Sequence, residues 1–256
     1  MNPETSSRCP NDPSLQVGRD ERFVALQDVG QGFTANLPVA ASVAAYGSVL
    51  GVLAVQKGIS WVQLLVMNLS VFAGSAQFVM VDMWVPPLPI AEMTLAVLAI
   101  NLRYLLIGAS LEPVFRGASF WHKACRMHLV ADENWAVTMA VRRRDGYVST
   151  GFLLGGGLCV VTAWCLGTLS GHLLGAAIED PSVYALDFAF VAVFTALAMS
   201  LWRGASDTVP WVVAAATAVV VERLLPGKWY IICGALAGSL VAACRKNRHG
   251  GDEAES

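Results

Sequence analysis

Of the 256 residues, 17 are Lys or Arg and 19 are Asp or Glu, so charged residues make up 14% of the chain, against about 25% in an ordinary soluble domain. Hydrophobic residues reach 55% and mean hydropathy is +0.56, which excludes a soluble globular enzyme, a disordered regulator and a secreted disulfide scaffold. A net charge of −2, with no basic face of useful size, argues against a nucleic-acid binder.

The charges fall in clusters separated by long gaps. None occurs in the 28 residues between Asp28 and Lys57, the 24 between Lys57 and Asp82, or the 33 between Asp145 and Glu179. A bilayer crossing needs about 20 predominantly apolar residues, so the pattern predicts a polytopic membrane protein. Residues 1–22 are polar and contain Pro, with no apolar core after a basic start, and so do not form a cleavable signal peptide. Residues 1–28 read as a disordered cytoplasmic leader, 29–244 as the transmembrane domain and 245–256 as a hydrophilic tail. The six cysteines form no CxxC pair and read as small residues packing between helices.

Seven apolar segments follow in order, at about 33–55, 61–84, 89–111, 148–172, 182–202, 208–223 and 228–244,. Positive charge tests this drawing, because cytoplasmic loops hold the excess of Lys and Arg. The leader carries Arg8, Arg19 and Arg22, the long interval after the third segment ends in Arg142-Arg143-Arg144, and the tail has Arg245, Lys246 and Arg248. Three crossings between the leader and the Arg triplet put them on opposite sides. Either residues 124–141 add a crossing, despite Arg126, His128, Asp132 and Glu133, or the 61–84 segment is a re-entrant hairpin; the extra crossing is the preferred reading. The fold expected is all-α: a polytopic membrane helix bundle with about seven to eight crossings and one or more broken helices.

Gly151, Gly155, Cys159, Ala163, Gly167, Gly171 and Gly175 place a small residue at every fourth position. Such a strip lets helix backbones approach closely where lipid supplies no hydrophobic driving force. Gly47/Gly51 and Gly234/Gly238 repeat it. The run Gly155-Gly156-Gly157 lacks the Lys-Ser/Thr of a phosphate loop.

Polar groups in a bilayer are expensive and each needs a reason. Phe72-Ala73-Gly74-Ser75-Ala76-Gln77-Phe78 lies halfway along the second segment. Gly-Ser-Ala there permits a helix break whose exposed amides hold a carboxylate; a close helix crossing with Gln77 bonded to a neighbour is the competing account. Asn101 and Arg103 lie more than ten residues into the third segment, deep for an Arg that merely snorkels. Asp132 and Glu133 are adjacent acids in a stretch that is otherwise apolar, suited to trading a proton or holding an ammonium group, or simply to capping the helix that follows. No HExxH, GxSxG or Cys/His metal spacing occurs,, and no metal site or cofactor is expected.

Leu37-Pro38, Phe72-Ala73-Gly74-Ser75-Ala76-Gln77-Phe78, Asn101-Leu102-Arg103-Tyr104 with Gly108-Ala109-Ser110-Leu111, and Asp132-Glu133 together resemble the AzlC/YgaZ family, the large subunits of bacterial branched-chain amino acid exporters. The likeness covers about residues 30–140 with specific motifs and the rest by hydropathy. The family's third-segment motif typically reads Asn-x-Arg-His, and Tyr104 stands in the last place here. The resemblance implies efflux of Leu, Ile, Val and related amino acids across the bacterial cytoplasmic membrane, with a small four-helix AzlD-type partner subunit. A zwitterion needs an anion site, a cation site and an apolar wall. The assignment expected is Gly74, Ser75, Asn101 and Arg103 for the carboxylate, Asp132 or Glu133 with the Gln77 carbonyl for the ammonium group, and the two acids for proton coupling. A membrane-embedded enzyme acting on a lipid-linked substrate, or an exporter of another small solute, is the alternative.

Overall fold

The computed structural model describes residues 26–177, 195, 199, 202, 204–225 and 229–252. Most of the polar leader, nearly all of the 182–202 segment and the end of the tail lie outside them. The described residues are all-helical. In chain order the helices are α1 (Leu26–Gln56), α2 (Trp61–Ser70), α3 (Gly74–Asp82), α4 (Ile90–Asn101), α5 (Arg103–Leu111), α6 (Phe120–Met127), α7 (Asp132–Asp145), α8 (Thr150–Ala176), α9 (Thr208–Leu224) and α10 (Trp229–Asp252). They belong to two compact units, one formed by the chain up to Ala41 with Ile107–Thr162, the other by Ser42–Leu106 with the chain from Ala163 onward.

In the second unit the small-residue strip does what its spacing predicts. A Cβ on Gly167 would meet the backbone of Ala44, one on Gly171 the backbone of Ser48, and one on Gly175 Val52. The contacts advance together along both chains, so α1 and α8 run parallel there. Gly47 and Gly51 return the contact onto Trp164, Thr168 and His172. In the first unit Gly32 abuts Phe152, and Gly155 abuts Val29 and Phe33. With side chains absent along this seam, dispersion contacts between backbones hold the helices together.

The second unit also decides the fate of the 61–84 segment. Gly58, at φ 73°, turns the chain out of α1 in a conformation that other residues adopt only with strain,. Ser60 then caps α2: its hydroxyl accepts from the Gln63 amide at 3.3 Å, while Gln63 Oε1 accepts from the Ser60 amide at 2.9 Å,. Lys57 Nζ, ahead of α2, donates to the carbonyl of Asp82 at the end of α3 at 3.3 Å. Stacked end to end, α2 and α3 would separate those residues by roughly 30 Å. The segment is therefore a helical hairpin that leaves on the side it enters, where a through-crossing was expected. After the hairpin, Val79, Met83, Met93 and Ala96 form a small core with Ile231 against it, and α9 and α10 pack antiparallel through Gly234 and Gly238 onto Pro210, Ala214 and Ala218.

The extra crossing preferred at 124–141 is not one continuous helix either. It is interrupted between α6 and α7 at residues 128–131. Among the described residues three helices are long and apolar enough to cross a membrane: Leu26–Gln56, Ile90–Val114 and Thr150–Ala176. Both broken elements depart from the expected tally for one reason. Each spends its length on two short half-helices rather than one span.

Two outcomes test this arrangement. In a cysteine-free background, Lys57→Cys with Asp82→Cys should cross-link with a bismaleimide spanning about 10 Å, which a straight segment would prevent. Gly171→Val should cost about 1–3 kcal/mol or more through overpacking against backbone, read as a lowered Tm in detergent, whereas Gly30→Ala, with nothing within 4 Å of its Cβ position, should leave Tm unchanged or slightly raised.

Candidate functional site

The break in the α2–α3 hairpin consists of Val71, Phe72 and Ala73. The Val71 amide still closes onto Met67 O at 2.9 Å and the Ala73 amide onto Val71 O at 2.8 Å, while the first i to i−4 bond of α3 runs from the Gln77 amide to Ala73 O at 3.0 Å. The amides of Gly74, Ser75 and Ala76 thus form the open N-terminal turn of α3. Ala73 supplies no side-chain cap, so this turn is the positive end of a half-helix dipole.

At the break Val71 O has lost its regular i+4 amide and keeps only the short-range Ala73 amide, which is costly in an apolar setting, and Gln77 adds a donor. Its Nε2 donates to Val71 O at 2.5 Å and, more weakly, to Met67 O at 3.5 Å. Its Oε1 accepts from the Trp164 indole at 2.8 Å, which also reaches Asn68 Oδ1 at 3.2 Å; Asn68 Nδ2 in turn donates to Thr168 Oγ1 at 2.7 Å. Gln77, Asn68 and Thr168 are wholly buried. The indole also explains Gly74, since a Cβ there would sit 3.0 Å from Trp164 Cη2. Of the two contacts weighed for Gln77, an ammonium group or a neighbouring helix, the structure shows the second: it spans the break and ties it to α8.

Arg103 is brought to the open end of α3. Leu102 departs from regular helix between α4 and α5, bonding Ala99 O at a long 3.4 Å, and Arg103 begins the new helix with Nη2 donating to Ser75 Oγ at 2.9 Å. Tyr104 beside it donates its hydroxyl to Phe72 O at 3.3 Å, a second carbonyl of the break. Two residues earlier, Asn101 Oδ1 is buried with no hydrogen-bond partner among the described residues. The guanidinium thus touches the side chain of the second residue of an open helix start, and a cation with free helix-start amides is a donor set suited to a carboxylate.

Of the expected residues, Gly74, Ser75, Asn101 and Arg103 lie in this unit, with Ser75 and Arg103 in direct contact. Asp132 and Glu133 lie in the other unit, in the first turn of α7, where acids complement the helix dipole; Asp132 is half-buried and Glu133 exposed. The break before them is built on the same plan as the first. Wholly buried Asn134 accepts from the Ala131 amide at 2.7 Å and donates to Leu129 O at 3.0 Å. Trp135 Nε1 donates to Ser110 Oγ at 2.8 Å. Sequence reasoning missed Asn68, Asn134, Trp164 and Thr168. An Asn amid apolar residues at position 68 was a usable signal; nothing in the sequence separates Trp164 from an ordinary core aromatic. Among the described residues no group of three or more His, Cys, Asp or Glu could hold a metal ion.

Two relatives are each called an uncharacterized membrane protein and come from Helicobacter pylori. The one from strain 26695 is 24% identical over 157 residues, covering 61% of this chain and 68% of the relative. The one from strain J99 is 24% identical over 187 residues, covering 73% and 81%. No solved structure matches the chain. Residues 38–178 match the family model described as AzlC protein, an interval that holds α2 through α8 with both broken elements. With more than half of its length inside that match, the chain belongs to the AzlC family.

Proposed function

We propose that this protein is a transporter that exports branched-chain and other aliphatic amino acids across the bacterial cytoplasmic membrane. The observation that carries the reading is the contact of Arg103 with Ser75 at the uncapped start of α3. A cation and a helix start aimed at one point inside an apolar bundle bind a carboxylate strongly and specifically. An aliphatic wall then selects the side chain, though one methylene changes affinity by only about 1–3 kcal/mol. Asp132 and Glu133 carry the proton coupling in this reading, and a small AzlD-type subunit completes the transporter. Tyr104, where the family carries His, serves as a hydroxyl pin on Phe72, which leaves the proton to other groups.

In this reading the α2–α3 hairpin does not cross, so one crossing by α4–α5 lies between α1 and α8, which returns Arg142-Arg143-Arg144 to the side on which α1 begins, as the excess of Lys and Arg requires,.

The test is release of amino acids from cells loaded with Leu-, Ile-, Val-, Met- and Ala-containing dipeptides, with and without the small subunit. Arg103→Ala should cut export of the aliphatic set more than tenfold at normal membrane abundance, as expected for loss of a charge-assisted bond worth about 1.5–3 kcal/mol. Gln77→Leu should instead lose abundance, because it strips the break of its strut. Unchanged flux in Arg103→Ala would remove the residue from the mechanism. Joint replacement Asp132→Asn with Glu133→Gln should make any residual flux indifferent to collapse of the pH gradient; flux in the parent protein that is already indifferent would reject proton coupling.

A further inference from the structure

In the first unit α6 turns its apolar face outward. Phe120 and Trp121 are 74% and 76% exposed, with their rings 5.5 Å apart edge to face, and Ala124 and Cys125 on the same face are exposed as well. Lys123 and Arg126, one turn apart beyond that face, are half-buried, and among the described residues neither forms an ion pair. The level of the helix is set by α5. The apolar span Ile90–Val114 ends at Val114, and Gly117, at φ 80°, turns the chain into Ser119 and α6. At the far end of α6, Met127 Cε would lie 3.7 Å from a Cβ on Gly108, a residue six positions back from Val114, or about 9 Å along the helix. Trp135, just past the break, bonds Ser110. So α6, about 10 Å long from Phe120 to Met127, folds back along α5, and its start stands level with the end of the span, where a bilayer changes from acyl chains to headgroups.

We propose that α6 is a binding surface for an anionic phospholipid, with Phe120 and Trp121 against its acyl chains and Lys123 and Arg126 holding its headgroup phosphate. Exposed aromatic rings at this level are what a membrane interface favours. The two cations are aimed correctly, because side chains on a helix lean toward its N-terminus, which for α6 is the headgroup end, and long basic side chains reach a headgroup while their stems stay among apolar groups. The charge balance selects a lipid with net negative charge. Glu112, the nearest acid before α6, lies 3.8 Å from Arg116, and α6 itself carries two cations and no acid. Asp132 and Glu133 follow only after the break, at the opposite end of α6.

The experiment places a fluorophore on Cys125, which is exposed on the same face, in the full-length protein with its other cysteines replaced by Ala, and reconstitutes it in phosphatidylcholine vesicles. Chain-brominated phosphatidylglycerol or chain-brominated phosphatidylcholine is then added at equal mole fraction as the quencher. Quenching should show the anionic lipid enriched at Cys125 by about fivefold or more, the factor expected of even one basic side chain at an anionic surface. The joint replacement Lys123→Gln with Arg126→Gln should bring the two lipids level. A fluorophore on Leu98→Cys in α4, an exposed apolar position without this basic pair, should show no preference. Equal quenching by both lipids at Cys125, the same preference at Leu98→Cys, or a preference undiminished in the double variant overturns the proposal. Absence of quenching by either lipid at Cys125 also overturns it, since the face is then covered by protein. The comparison of Cys125 with Leu98→Cys decides even where the double variant does not fold.

Discussion

The architecture depends on how a peptide chain can stop being helical inside an apolar bundle. Every backbone amide and carbonyl there needs a partner, and water is not available to supply one. In one unit the carbonyls released between α2 and α3 are taken by Gln77 and Tyr104; in the other, Leu129 O is taken by Asn134. Both carboxamides are wholly buried and sit in the first turns of the second half-helix. What the struts leave open is the start of that helix, whose amides have no carbonyl within reach. The requirement that closes one side of the break leaves the positive end of a helix open on the other, and the proposed function uses that end,.

The long helices provide the frame on which such breaks are held. Glycines on α8 bring its backbone against α1 with no side chain between them, and Trp164 on α8 reaches out to Gln77 and Asn68. His172, further along, takes the carbonyl of Ile59 at 2.9 Å just ahead of α2. In the proposed transporter a seam this tight resists sliding, so movement falls to the half-helices and the polar contacts at their tips. There the bond of Arg103 to Ser75 is the contact that an incoming carboxylate would share or displace.

Much of this was legible in the chain. The spacing of Gly155, Gly167, Gly171 and Gly175 encodes the seam directly, since only a four-residue period keeps small residues on one face. Gly74-Ser75 marked the break, because residues poor at holding a helix stood midway along an apolar run, and Arg103 marked itself by depth. The hairpin was legible only as the less preferred way to balance Lys and Arg, because hydropathy counts apolar residues and cannot see that two half-helices of about ten residues each fold back on one another. For Gln77 the sequence left two readings open, since a polar side chain within a membrane segment reads the same whether it faces a substrate or a neighbouring helix. Trp164 stayed hidden because its meaning comes from distant neighbours, Gln77 and Asn68, which lie 87 and 96 residues away along the chain.

The central claim is that the open start of α3, with Arg103, receives the carboxylate of an aliphatic amino acid. The most direct measurement is counterflow of labelled leucine into proteoliposomes that hold the purified protein and excess unlabelled substrate. The account predicts uptake driven by internal leucine, isoleucine or valine, no uptake driven by internal leucinamide, which lacks the carboxylate, and none at all when Arg103 is replaced by Ala. Counterflow supported equally by leucinamide, or undiminished in Arg103→Ala, would contradict it.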